Sequence, residues 1–301
     1  MNAIEYVFQQ AELAEAAYAN FIGIDGTVVT VESDEIKALT DEGMSESQAT
    51  SFVDKWRVVD QSPSPAGIFG SGFSATLFER LNANQESTGE YTLAIAGSDS
   101  PIDFAAADFS LASGGVGYDQ LEALINYVLR LQAGSTGSAH QVQFTRLATA
   151  PSLTTTSVSG VGPGVNPAEL TITGHSLGGF LAQMYQRIFG SASVYTYNAL
   201  GVVRPDAPIF AQLTGLLGLP AGTFSSGLGV NLVVPGESAQ LVGTVQGKAQ
   251  VPIFSENMID VPLDSRIGVG LHIAPHYMKP VTDALALYEL LARLGAGTSG
   301  L

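Results

Sequence analysis

Cysteine is absent from this 301-residue chain, which excludes disulfide bridges, thiolate metal sites and a thiol nucleophile. Basic residues are scarce: 12 Lys and Arg stand against 28 Asp and Glu, a net charge of −16. Gripping a phosphate backbone takes clustered cations, so nucleic acid is not an expected partner, and an anionic membrane surface repels the chain at long range. Long apolar runs are missing too. No stretch approaches the roughly 18 residues that span a bilayer, and the longest, 208–221, is broken by Gln212, Thr214, Gly215 and Pro220. The first residues carry Glu5, Glu12 and Glu15 in an Ala-rich helical pattern, without the basic start and apolar centre of a signal peptide. Charged residues make up 13% and apolar ones 46%, the balance of a globular chain with a substantial core.

Periodicity predicts helices over 3–20, from the capping box Ser45-Glu46-Ser47-Gln48 to about Arg57, and over 116–132, 177–189 and 280–294. Strands are expected over 72–80 and 90–96, as a hairpin closed by the polar residues 82–89, and over 169–173, 193–198 and 230–234. Residues 133–167, rich in Gly, Ser, Thr and Pro, read as an insertion holding a small hairpin at 141–147. Strands alternating with helices imply an α/β fold with a mostly parallel sheet covered on both faces, in one domain over 1–301.

One motif carries chemistry. Gly174-His175-Ser176-Leu177-Gly178-Gly179 lies between a predicted strand and a predicted helix and fits G-x-S-x-G, the nucleophile elbow. The glycines leave room for a sharp turn that holds Ser176 at a helix N-terminus, where backbone N–H groups favour developing negative charge. The bland alternative is a glycine-rich turn whose serine caps the helix.

A serine hydroxyl needs a base within hydrogen-bond reach. Of four histidines, His175 is the elbow's variable residue and His140 precedes the nucleophile. Elbow enzymes run in the order Ser, acid, His, which leaves His272 and His276. His276, just ahead of the last helix, is preferred over His272 in its apolar setting. A zinc pair at that spacing is not expected, because Pro275 breaks the helix it needs. The acid follows a strand after the elbow, which points to Glu237, with Asp260, Asp264 and Asp206 as rivals. The oxyanion donors expected are the N–H of Leu177 and, after the strand 91–96, that of Ser98.

The elbow does not stand alone. Ala11-Glu12-Leu13-Ala14-Glu15-Ala16-Ala17-Tyr18, Gly72-Phe73-Ser74-Ala75-Thr76-Leu77-Phe78, Gly97-Ser98 with Asp103-Phe104 to Asp108-Phe109, and Thr282-Asp283-Ala284-Leu285-Ala286-Leu287-Tyr288 accompany it in order. Together they resemble the class 3 lipase group of α/β-hydrolases, and more closely the catalytic regions of secreted bacterial lipases and polyurethane esterases. The resemblance implies an α/β-hydrolase fold, an extracellular protein, Ser176 as nucleophile, His276 as base and an acid at Glu237. Three departures stand out. Ala96-Gly97-Ser98 replaces the usual Arg-Gly-Thr, Glu237 replaces the usual Asp, and the calcium-binding glycine repeats of larger relatives are not in the sequence. No metal or cofactor is expected.

Residues 203–228 are unusually apolar for a connection (Ile209, Phe210, Leu213, Leu216, Leu217, Leu219) and read either as a lid or as a short core helix. No charged clamp for phosphate or carboxylate stands nearby. The expected activity is hydrolysis of apolar carboxylic esters, of small molecules or at a lipid or polymer surface. Phospholipase or polyester hydrolase activity, an acyltransferase and a non-catalytic binding protein are the alternatives.

Overall fold

The hairpin expected between residues 72 and 96 forms the antiparallel end of a seven-stranded sheet. The protein is seen as a computed structural model that describes residues 3–62, 73–97, 118–144, 151–190, 193–201, 208–220, 229–233, 251–252 and 278–293. Strands β1 (Trp56–Ser62), β2 (Ala75–Leu81) and β3 (Ser87–Ile95) pair antiparallel. Strands β4 (Ser138–Phe144) and β5 (Pro151–Ser159) make a separate two-stranded sheet. From β3 the main sheet continues in parallel through β6 (Thr171–His175), β7 (Val194–Tyr197), β8 (Gly229–Val233) and β9 (Val251–Pro252).

Alternation along the strands divides the core. Leu77, Leu93, Ile95 and Ile172 face one layer, built from α4 (Tyr118–Ala133), α5 (Leu177–Phe189) and α6 (Pro208–Leu216). Their neighbours Phe78, Ala94 and Ala96 face the other, with the end of α1 (Ala3–Ala16), α2 (Glu32–Asp41) and α3 (Glu46–Val53). Farther along that second face, Tyr197 and Leu232 meet Ala11 and Ala14 of α1 and Val281 and Leu285 of α7 (Met278–Arg293). The protein is thus mixed α/β, with a mostly parallel sheet and helices on both faces. Among the described residues no helix is long and apolar enough to cross a membrane.

Three features correct the sequence reading. The capping box is present, with Ser45 accepting from Gln48 N–H and Gln48 accepting from Ser45 N–H, but its helix stops at Val53 rather than near Arg57. Trp56 and Arg57 instead open β1, where Trp56 pairs with Arg80 and Arg57 bonds the buried Glu79 carboxylate. Partners more than twenty residues away decide that strand, and helical periodicity does not see them. Helix α2 has no counterpart in the sequence pattern; it buries only Glu35 and Leu39, too little to print an apolar stripe. The insertion's hairpin is larger than 141–147, and Asn126 of α4 holds it by bonding both the N–H and the C=O of Val142.

The α1–α7 contact encloses charge. Glu12, Glu15 and Glu289 are all buried there, and Thr282 donates to Glu15. Burial, aided by Glu15 and Glu289 and opposed by Lys55, raises the Glu12 carboxyl from 4.5 to about 7. The folded protein therefore holds a proton that the unfolded chain releases above 4.5, so this stability is full at low pH and fades as pH climbs through 7. Glu12→Gln, which mimics the protonated acid, should stabilise the protein by about 2–3 kcal/mol at pH 8, a rise in Tm of about 5 °C, and by almost nothing at pH 4.5. Equal shifts at both pH values, read by thermal melts, refute this.

Candidate active site

The C-terminal ends of β3, β6 and β7 lie side by side, with Gly174 in register with Ile95 and Thr196, and His175 with Tyr197. The last strand residue, His175, is followed at once by Ser176 and then by α5. Ser176 makes that turn with φ 57 and ψ −120, a backbone shape that non-glycine residues avoid at a cost of about 1–3 kcal/mol. Its N–H donates to Tyr197 O at 3.0 Å, and its C=O accepts from Phe180 and Leu200 N–H, so the strained residue is fixed from three directions.

Close packing makes the turn possible. A Cβ on Gly178 would lie 2.1 Å from the Ile95 carbonyl oxygen, and one on Gly174 2.5 Å from the Gly178 backbone. No side chain fits between strand and helix here, which explains the glycines flanking the serine. Behind the turn Phe180 is wholly buried, and Gln183 donates to Gly179 O and Leu200 O, so α5 is a rigid mount.

Ser176 occupies the N-cap position, yet its side chain makes no capping hydrogen bond to α5. The first turn of the helix also carries no acidic residue to offset its positive end. The amide end of α5, beginning at Leu177, thus faces the serine uncompensated by a carboxylate of its own, the electrostatics an oxyanion site requires.

A tyrosine that the sequence reading assigned no role stands beside this turn. Tyr18, just past α1, accepts a hydrogen bond from Gly97 N–H at 3.0 Å, and its hydroxyl lies 2.7 Å from His175 Nδ1. The two rings meet edge to face, with centroids 6.0 Å apart. A Cβ on Gly97 would meet Tyr18 Oη at 2.6 Å, His175 O at 2.8 Å and Ser176 Cβ at 3.1 Å, so the end of β3 is pressed against the serine. Nothing local in the sequence signals this, because Tyr18 and His175 are 157 positions apart.

Of the residues the sequence nominates, the structure brings together Ser176, Leu177 and Gly97. Ser98, Asp206, Glu237, Asp260, Asp264, His272 and His276 lie outside the described residues. The candidate lid is described over 208–220, where Ile209, Phe210 and Leu213 of α6 are buried in the main core and the Arg187 guanidinium covers the Phe210 ring. His140 is on β4, with Nδ1 2.8 Å from Thr154 O, in the wall of a depression of about 330 Å³ that includes Ser138, Leu153 and Leu217 but no residue of the serine turn. That wall holds no carboxylate to complete a triad. Among the described residues no group of His, Asp and Glu is arranged to hold a metal ion.

Compared with known proteins, the chain matches no family model and no curated protein.

Proposed function

We propose that this protein is a serine carboxylic ester hydrolase with an α/β-hydrolase fold, acting on apolar acyl esters through an acyl-enzyme. The observation that carries the reading is Ser176 at φ 57 between a parallel strand and a helix N-terminus, its side chain not used as a cap. Strain at such a residue persists only where the surroundings enforce it, and here three backbone hydrogen bonds and a bed of glycines do so.

Ser176 Oγ attacks the ester carbonyl carbon while His276 takes its proton and Glu237 orients the imidazole. Leu177 and Ser98 N–H groups stabilise the tetrahedral anion, each worth roughly 3–4 kcal/mol in the transition state. The C–O bond to the alcohol then breaks, and His276 returns the proton to the leaving oxygen. Water attacks the acyl-enzyme by the same route, releasing the acid and restoring Ser176. Two placements support the distal partners. Val281, in the first turn of α7, packs with Tyr197, whose carbonyl oxygen holds Ser176 N–H. His276 precedes the first residue of α7 by two positions, and Glu237 follows the end of β8 by four.

The apolar composition of 203–228 and the lack of a charged clamp favour neutral acyl esters, with lipids or polyesters as bulk substrates and, by the same resemblance, work outside the cell. A fluorophosphonate probe followed by peptide mass spectrometry tests the chemistry: one adduct per chain, on Ser176, is expected. Failure of the folded protein to react would favour a non-catalytic binding protein instead. Hydrolysis rates on p-nitrophenyl esters of two to sixteen carbons, and on triglyceride, phospholipid and polyester films, then rank the substrates, while competing alcohols expose any acyl transfer.

A further inference from the structure

We infer that Tyr18 is a positioning residue for the oxyanion side of the proposed site, acting through the Gly97 backbone and the His175 ring. The inference rests on the proposed function and adds to it a residue from the far N-terminal end of the described chain. Its ground is geometry. One phenol oxygen accepts the Gly97 N–H at 3.0 Å and reaches His175 Nδ1 at 2.7 Å, so it ties the end of β3 to the end of β6 immediately beside the serine.

The tie matters because of where Gly97 sits. The missing Gly97 side chain is what lets its backbone approach Ser176, a Cβ there falling 3.1 Å from Ser176 Cβ. A backbone that close, followed in the chain by the proposed Ser98 donor, must be held to a fraction of an ångström to serve an oxyanion. A misplacement of about 1 Å costs on the order of 100-fold in rate. Pairing between β3 and β6 ends at Ile95 and Gly174, short of Gly97, so the sheet ladder does not supply that restraint. Tyr18 does. Because its phenol engages the Gly97 N–H, that amide is turned toward Tyr18, and the donor role passes to the next amide along. His175 completes the fixture: its carbonyl lies within 2.8 Å of the Gly97 Cβ position, and its ring holds the phenol from the other side.

Tyr18→Phe keeps the ring and removes only the hydroxyl. The expected result is a kcat lower by about 10- to 100-fold with KM within about threefold, because the lost restraint bears on the transition state more than on ground-state binding. Phosphonylation of Ser176 should slow by the same factor, and the Gly97 amide should exchange its hydrogen faster. His175→Leu removes the other end of the tie, and the double variant should cost little more than either single one. A purely structural role predicts otherwise: a lower Tm, with kcat and phosphonylation per folded molecule within threefold of the parent. That outcome, or multiplying effects in the double variant, overturns the inference. Should Tyr18→Phe fail to fold, His175→Leu carries the same kcat and exchange measurements, and an unchanged kcat there is equally fatal. A parent protein that neither hydrolyses esters nor reacts at Ser176 overturns the proposed function and the catalytic half of this inference. The tie itself is then judged by Gly97 exchange alone.

Discussion

Ser176→Ala is expected to lower kcat on a soluble p-nitrophenyl ester by about 10⁵- to 10⁶-fold while KM moves little, the scale on which a triad nucleophile acts. The reason is specific to the turn. Ser176 is held by hydrogen bonds through its backbone, to Tyr197, Phe180 and Leu200, and alanine keeps all three. Its side chain caps nothing in α5, so helix stability should not suffer. Tm within about 2 °C of the parent is therefore expected, alongside complete loss of fluorophosphonate labelling. Because the variant loses chemistry and keeps the fold, the experiment isolates the hydroxyl. Residual hydrolysis above a thousandth of the parental rate, from protein free of contaminating esterase, would mean that another group is the nucleophile.

The largest effect on stability is expected from Gly178→Ala. The added methyl would lie 2.1 Å from Ile95 O, 2.8 Å from Ile95 C and 2.9 Å from Ala96 C. All three are backbone atoms, and Ile95 is paired on both sides, so no flexible side chain can yield. Relief requires α5 to lift from β3 or the strand to shift, at a cost of about 3 kcal/mol or more, which lowers Tm by roughly 6–12 °C. The same shift moves Ser176 relative to Gly97, so kcat per folded molecule should fall at least about 100-fold. Gly215→Ala is the matched comparison. Nothing lies within 4 Å of a Cβ there, and the residue is inside α6, so this change should stabilise by about 0.5–1 kcal/mol. A melt in which Gly178→Ala falls by less than 2 °C would show that strand and helix are not in the contact described.

Legibility in the sequence followed the range of the interactions involved. The capping box at Ser45, the hairpin around Asn82 and the strand–serine–helix turn are set by residues a few positions apart, and each was readable from pattern. Strand β1 was not, because Trp56 and Arg57 become strand only by pairing with Arg80 and Glu79. Helix α2 was not, because two buried side chains do not make a stripe. The candidate site divides in the same way. Ser176 and Leu177 follow from a six-residue motif, whereas Tyr18 belongs to the site only through a fold that brings it to His175 across 157 positions. Chain order and resemblance point to His276, Glu237 and Ser98, which lie outside the described residues.

The pairing of α1 with α7 bears on how the chain is made. At roughly 5–20 residues per second on a ribosome, many seconds separate the emergence of Ala11 and Ala14 from that of Val281 and Leu285, the residues they pack against. For that interval α1 has the sheet residues Tyr197 and Leu232 to pack on once they are made, but the face that α7 covers stays open to water or to a chaperone. Nascent chains halted before position 278 should accordingly be cut by protease within α1 faster than chains that include α7.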